Sequence, residues 1–171
     1  MKPGKRRHLT LCRYRGDYRV LLMRVDRGMH RRLPTRSPGS RSPKSPRGIG
    51  AAICKQLAAQ GLFVYVHANS NIDKAKAVVS EIRAAGGEAE AVAFDVTDSM
   101  QCEQILGELG QQGVIDVIVN NAGVVADTPM AGMEKEAWDR VLGASLDGFF
   151  NVTQPLLMPM IRARKGGRII N

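Results

Sequence analysis

Ile115-Asp116-Val117-Ile118-Val119-Asn120-Asn121-Ala122-Gly123 decides the fold. The first five residues are β-branched apart from one acid and too few for a helix, so they read as a short strand buried in a sheet. Beyond the strand stand two amides and two small residues, which place flat, uncharged hydrogen-bonding groups and little bulk at its carboxyl end. Upstream, Asp98 with Gln101 three residues on forms a capping-box pattern, and Cys102, Ile105, Leu106 and Leu109 give a helical apolar stripe. Residues 88–94 read as a strand. Ala75, Val78, Val79 and Ile82 share one face of a helix over 71–85, closed by Gly86 and Gly87. Residues 62–68 read as another strand, and Ile49, Ile53 and Leu57 recur at helical spacing over 50–60 before Gly61. Downstream, a long helical stretch begins at Lys135 with Trp138, Val141, Leu142 and Phe149 expected inward, and Pro155 and Pro159 expected to end or kink it. Residues 168–171 start one more strand.

Strands alternating with helices of this length imply right-handed βαβ crossovers, hence an α/β, Rossmann-like doubly wound parallel sheet. Ligands in such sheets sit beyond the carboxyl ends of the strands, so the loops there are the place to seek function. One such loop is Arg47-Gly48-Ile49-Gly50, opening a helix, where glycines allow close backbone approach to a pyrophosphate and the helix N-terminus offers unpaired N–H groups. A second is Asp95-Val96, whose acid suits an adenine amino group and suits a plain turn equally well. The third is Asn121-Ala122-Gly123, after Asn120.

Composition divides the chain in two. Hydrophobic residues make up 44%, enough for one domain with a core. The formal charge of +9 is uneven: residues 1–46 hold 14 Lys/Arg against Asp17 and Asp26, a charge of +12, and the remainder holds 11 Lys/Arg against 14 acids, a charge of −3. Such a basic arm could neutralise nucleic-acid phosphates, giving salt-dependent, sequence-blind binding, or could serve as a transit peptide. Its aperiodic Arg, Ser, Pro and Gly favour a third reading, a disordered or out-of-frame segment. Cys12, Cys54 and Cys102 are widely spaced, in no metal-ligand pattern, and read as free thiols of a reducing cytoplasm. No metal site is expected. No apolar run of about 18 residues and no signal peptide is present, so the expectation is a cytoplasmic protein without a membrane partner.

Arg47-Gly48-Ile49-Gly50, Asp95-Val96, Asn120-Asn121-Ala122-Gly123 and the closing Gly167-Arg168-Ile169-Ile170-Asn171, in that order and spacing, resemble the classical short-chain dehydrogenases/reductases. Leu146 to Val152 and Met158-Pro159-Met160 resemble the bacterial 3-oxoacyl-[acyl-carrier-protein] reductases among them. The resemblance covers residues 47–171, a partial NAD(P)-binding domain. It implies hydride transfer from a nicotinamide cofactor to an acyl-carrier-protein-linked or small carbonyl substrate, in fatty-acid biosynthesis, by a protein that can form homo-oligomers. Arg47, Gly48, Ile49, Gly50, Asp95, Val96, Asn121, Ala122 and Gly123 are its cofactor-binding residues. At the place where an acid would bind the ribose of NAD stands Ala68, followed by Asn69 and Ser70, which with Arg47 points to NADP.

Departures from the family pattern carry equal weight. Pro43 and Lys44 stand where the glycine loop begins Thr-Gly, and the family's first strand has no counterpart in residues 34–46; Val20 to Val25 is apolar but some 20 residues too early. No Tyr has a Lys four residues on, Ser145 holds the place of the relay Asn, and the catalytic Ser would fall beyond Asn171. No catalytic residue is therefore assigned, and the expected function is a truncated, inactive portion of such a reductase. Alternatives are a non-catalytic dinucleotide- or protein-binding module and a nucleic-acid binder acting through the basic arm. Losing a central first strand should leave backbone groups of its neighbours unpaired. Either the arm supplies a replacement or the sheet splits, with poor solubility and weak or no nucleotide binding expected.

Overall fold

The computed structural model describes the backbone of Arg19–Leu22 and residues 48–171. Arg47, Cys12 and the rest of the basic arm lie outside the described residues, and so do the expectations placed on them.

The chain runs β1 (Arg19–Leu22), α1 (Ile49–Ala59), β2 (Phe63–Ala68), α2 (Ile72–Ala84), β3 (Ala89–Ala93), α3 (Ser99–Gln112), β4 (Val117–Val119), α4 (Lys135–Leu142), α5 (Gly148–Ala163) and β5 (Arg168–Ile170). The five strands form one sheet in the order β3-β2-β1-β4-β5, every neighbouring pair parallel. This is the doubly wound α/β class expected. The expected gap at its centre is filled, because Arg19–Leu22 of the basic arm lies between β2 and β4. Val20, Leu21 and Leu22 are consecutive apolar residues, the sequence pattern a central parallel strand requires, and they outweigh the strand's distance from the glycine turn.

Local chemistry accounts for the helix boundaries. Asn71 caps α2 by accepting from Asp73 N at 3.1 Å, and Gly86, at φ +83°, takes the left-handed conformation that ends it. One face of the sheet is covered by α1 and α2, through Ala51, Cys54, Ala58, Ala75, Val78, Val79 and Ile82 packed on Val64, Val66 and Val119. The α2 stripe is the expected one. The α1 face is rotated from expectation: Ile49 is 76% exposed, Ile53 and Leu57 are half-buried, and the small residues Ala51, Cys54 and Ala58 turn inward. Short side chains there let the helix axis approach the sheet and α2 closely. Lys55 of α1 pairs with Glu81 of α2 at the rim.

The other face is covered by α3 and α5, with Cys102, Leu106, Leu109, Val152, Leu156 and Met160 on Tyr65, Phe94, Ile115 and Ile118. The long helical stretch is divided by a π-helical turn, Gly143–Asp147, after which α5 continues through Pro155 and Pro159 to Ala163. Neither proline ends the helix, because buried Val152, Leu156 and Met160 hold both sides of each against the core. Trp138 and Phe149, expected inward, are 43% and 37% exposed, since α4 contributes no buried residue and the π turn re-aims the residues after it.

Candidate functional site

Register carries the strand-end loops to one edge. Ala91, Val66, Leu22, Val119 and Ile170 align across the sheet, so Asp95, Asn69, Asn120 and Asn171 all emerge beyond the same row of carboxyl ends. Helix α1 runs back toward the amino end of β2, which puts its N-terminus at that edge too. Gly48 there is extended (φ −154°) and its carbonyl accepts from Ala52 N at 3.1 Å. Among the described residues no side chain caps the helix, and no acid occupies its first turn, so the N–H groups of Ile49 and Gly50 and the positive helix end suit an anion.

Asp95 serves its own loop first. Its Oδ1 accepts from Thr97 N at 2.9 Å and from Thr97 Oγ1 at 2.8 Å, while its N–H donates to Gln101 Oε1. Gln101 thus completes only half of the anticipated capping box: Asp98 Oδ1 accepts from Gln101 N at 3.0 Å, but the glutamine side chain reaches past Asp98 to Asp95. The turn reading of Asp95 thus has its bonds through Oδ1, and among the described residues no hydrogen bond reaches Oδ2. Val96 is buried, and its carbonyl accepts from Asn151 Nδ2 of α5 at 3.0 Å. Gly148 sits against it so closely that an added Cβ would lie 2.8 Å from Val96 Cγ2.

Asn120 is the junction of the site. Its N–H donates to Ile170 O at 2.7 Å, and its Nδ2 donates to Asn171 Oδ1 at 2.8 Å and Thr153 Oγ1 at 3.3 Å, joining β4, β5 and α5. Asn120, Ala122, Val96, Ser145, Phe149 and Asn171 line a cavity of about 320 Å³ with apolar walls and an amide and hydroxyl rim. Ser145 reaches that wall from the π-helical turn.

Acid–base and thiol chemistry are sparse here. Tyr65 is fully buried in the core with its OH on Gln112 Oε1 at 3.1 Å, away from the strand-end loops. Burial pushes the Cys102 thiol up to about 11, with the Asp98 and Asp95 charges adding to it, and burial pushes Cys54 up to about 12, so neither is a thiolate at neutral pH. Among the described residues no group of three His, Cys, Asp or Glu is placed to hold a metal. No helix among them is long and apolar enough to cross a membrane.

The structure brings Gly48, Ile49, Gly50, Asp95, Val96, Asn121, Ala122 and Gly123 to one edge of the sheet. Ala68 is wholly buried in the α1–α2 layer, so Asn69 and Ser70 are the accessible residues where an acid would meet a ribose. Asn120, Asn151, Thr153 and Gln101 carry the architecture, although the sequence pattern gives none of them a site role. Asn120 and Asn151 lie inside quoted motifs and Gln101 in the capping-box pattern, whereas nothing in the local pattern marks Thr153 as the partner of a distant loop.

A family model described as short chain dehydrogenase matches residues 45–171. The chain belongs to that family. It is 42% identical over 127 residues to the 3-oxoacyl-[acyl-carrier-protein] reductase FabG of Aggregatibacter actinomycetemcomitans, covering 74% of this chain and 52% of that protein. It is 40% identical over 126 residues to FabG of Staphylococcus epidermidis, covering 73% and 51%. The chain therefore spans about half the length of the curated relatives it matches. Among solved structures of this short-chain dehydrogenase family, a gluconate 5-dehydrogenase from Burkholderia cenocepacia in complex with NADP and tartrate superposes with a TM-score of 0.72 at 31% identity, covering 93% of this chain and 55% of that one. A metagenomic short-chain oxidoreductase in complex with NADP gives 0.71 at 32% identity, covering 91% and 60%.

Proposed function

We propose that this chain is the cofactor-holding portion of an NADP-dependent 3-oxoacyl-[acyl-carrier-protein] reductase of cytoplasmic fatty-acid biosynthesis, and that by itself it binds the dinucleotide without turning over a carbonyl substrate. The observation that carries the reading is the uncharged carboxyl end of β2, Asn69 and Ser70, on the same edge as the uncapped N-terminus of α1. An acid at that place would repel a 2′-phosphate; a neutral pair accepts one. The family relatives named above supply the substrate class.

The residues present fit a dinucleotide. Gly48, Ile49 and Gly50 offer backbone N–H groups for the pyrophosphate, with Arg47 next to them in sequence. Asp95 Oδ2 and the Val96 backbone suit an adenine edge, and Asn121, Ala122 and Gly123 offer a surface of short side chains. When bound, the nicotinamide supplies the hydride. This chain's own residues bind and orient: no Tyr precedes a Lys by four residues, and without such a donor general acid assistance of about 10² to 10⁴ fold is missing. The filled centre of the sheet removes the reason for expecting the strand-end cleft to be lost. Leu146, Phe150, Leu157, Met158 and Ile161 are exposed apolar residues of the π turn and α5, which a homo-oligomer would cover.

Titration of the purified chain with NADPH and NADH, followed by nucleotide fluorescence, tests binding; loss of NADPH absorbance with a 3-oxoacyl thioester tests turnover. Saturable binding that favours NADPH, with no turnover, is expected. Tighter NADH binding would refute the cofactor assignment, and steady thioester reduction would refute the assignment as a non-catalytic portion.

A further inference from the structure

The centre of the sheet is built unlike the rest of it. Strand β1 pairs on one side from Arg19↔Phe63 to Leu22↔Val66, and on the other from Val20↔Val117 to Leu22↔Val119. Both helix layers close across this position. On one face the cluster extends from Val64 and Val66 of β2 to Val119 of β4 under α1; on the other it extends from Tyr65 to Ile115 and Ile118 under α3 and α5. The strand therefore occupies a slot whose two sides and two faces come from residues 48–171. Its covalent link to that body is residues 23–47, some 25 residues, against about 2–6 for an ordinary connection between a strand and the next helix in such folds. Backbone pairing on both sides fixes its register, and its consecutive apolar residues have the sequence pattern of a central parallel strand.

We propose that the gap between β2 and β4 is an acceptor site for one parallel apolar strand, which Arg19–Leu22 fills as a tethered, exchangeable ligand. The driving force is specific. An empty slot leaves two inward-facing strand edges with unpaired N–H and C=O groups between apolar layers, a state that backbone pairing with any suitable extended segment relieves. The chain's own arm wins because a covalent link holds it at an effective concentration of about millimolar. A free peptide at micromolar concentration competes poorly unless the resident strand is disabled. The chemistry recognised is an extended backbone with consecutive apolar side chains and no proline, because proline removes a ladder donor that a central strand needs.

Leu21→Pro in the full chain disables the resident strand. A fluorescent peptide covering residues 15–26 should bind this variant saturably, at least tenfold tighter than it binds the unaltered chain, and should restore a cooperative thermal transition. The same peptide carrying Leu21→Pro should bind neither. Equal binding to both chains, or no binding to a variant that remains folded by circular dichroism, would overturn the proposal. Should the variant fail to fold, a full chain with a specific protease site inserted between Pro38 and Gly39, cleaved after folding, gives the second test. The two pieces are expected to migrate together and the labelled peptide to displace the arm. Resistance to displacement at millimolar peptide, or separation into a body that unfolds with an unchanged transition, would show that no exchangeable strand is held there.

Discussion

Gly148→Ala offers the sharpest test of how the site is held. A Cβ at this position would lie 2.8 Å from Val96 Cγ2 and 3.2 Å from Val96 Cβ. Carbon atoms normally rest about 3.5–4.0 Å apart, so the overlap is about 0.7 Å or more at the nearer contact. Val96 cannot move aside: it is β-branched, 4% exposed, and its carbonyl is held by Asn151 of the same helix that would be pushed away. The start of α5 must then back off the β3 loop. Overpacking costs about 1–3 kcal/mol; weakening the Asn151 hydrogen bond costs about 1 kcal/mol; replacing a helical glycine by alanine returns about 1 kcal/mol. The net loss is about 1–3 kcal/mol, or roughly 3–9 °C in Tm for a domain of this size. Gly110→Ala, in α3 with nothing within 4 Å of the new Cβ, is the control: it should gain about 1 kcal/mol from propensity alone. Thermal and urea unfolding of the two variants should shift in opposite directions. A Gly148→Ala variant as stable as the unaltered chain, or a Gly110→Ala variant equally damaged, would show that the contact between α5 and Val96 does not constrain the loop.

Three further outcomes are expected. Asn120→Ala removes the donors to Asn171 and Thr153, costing about 1–2 kcal/mol, and should speed amide exchange in β5 more than in β2; uniform protection across both strands would contradict the junction role. Asn69→Asp places a carboxylate at the carboxyl end of β2 and should weaken NADPH about tenfold relative to NADH in a fluorescence titration, and an unchanged ratio would remove this position from cofactor choice. Cys54 and Cys102 are raised from 9.0 to about 12 and about 11, chiefly by burial, so they stabilise the fold fully below about pH 9 and lose that contribution as pH climbs through 11 and 12. Urea midpoints should fall across that window while thiolate absorbance at 240 nm rises, and Cys54→Ala should flatten the fall.

How much of the molecule is legible in the sequence depends on whether the signal is local. Strong periodicity places α2 within a residue, because Ala75, Val78, Val79 and Ile82 are both the stripe and the buried face. The Asn120 to Gly123 turn is legible because its composition is unusual directly after a strand. The inward face of α1 misleads, since hydrophobicity ranks Ile49 above Ala51, whereas close packing on the sheet selects the smaller side chain. The long helical stretch from Lys135 is legible, but the π turn at Gly143–Asp147 inside it carries no period of its own, so sequence alone keeps Trp138 and Phe149 on the inward face of a regular helix. Strand β1 is visible as an apolar run, but its distance from the glycine turn argues against it, since sequence separation says little about which segment a two-sided slot selects. The Asp95–Gln101 and Asn120–Thr153 bonds join elements with no mutual pattern and emerge only in the folded chain.

The two sealed thiols lie on opposite sides of the sheet, Cys54 beneath α1 and Cys102 beneath α3. Each is therefore a built-in clock for its own layer. With Cys12 replaced, the rate at which an alkylating reagent reaches each sulfur, read by mass spectrometry at rising denaturant, would time the opening of one side against the other. Matching rates would mark a body that breathes as a unit. Diverging rates would name the weaker half.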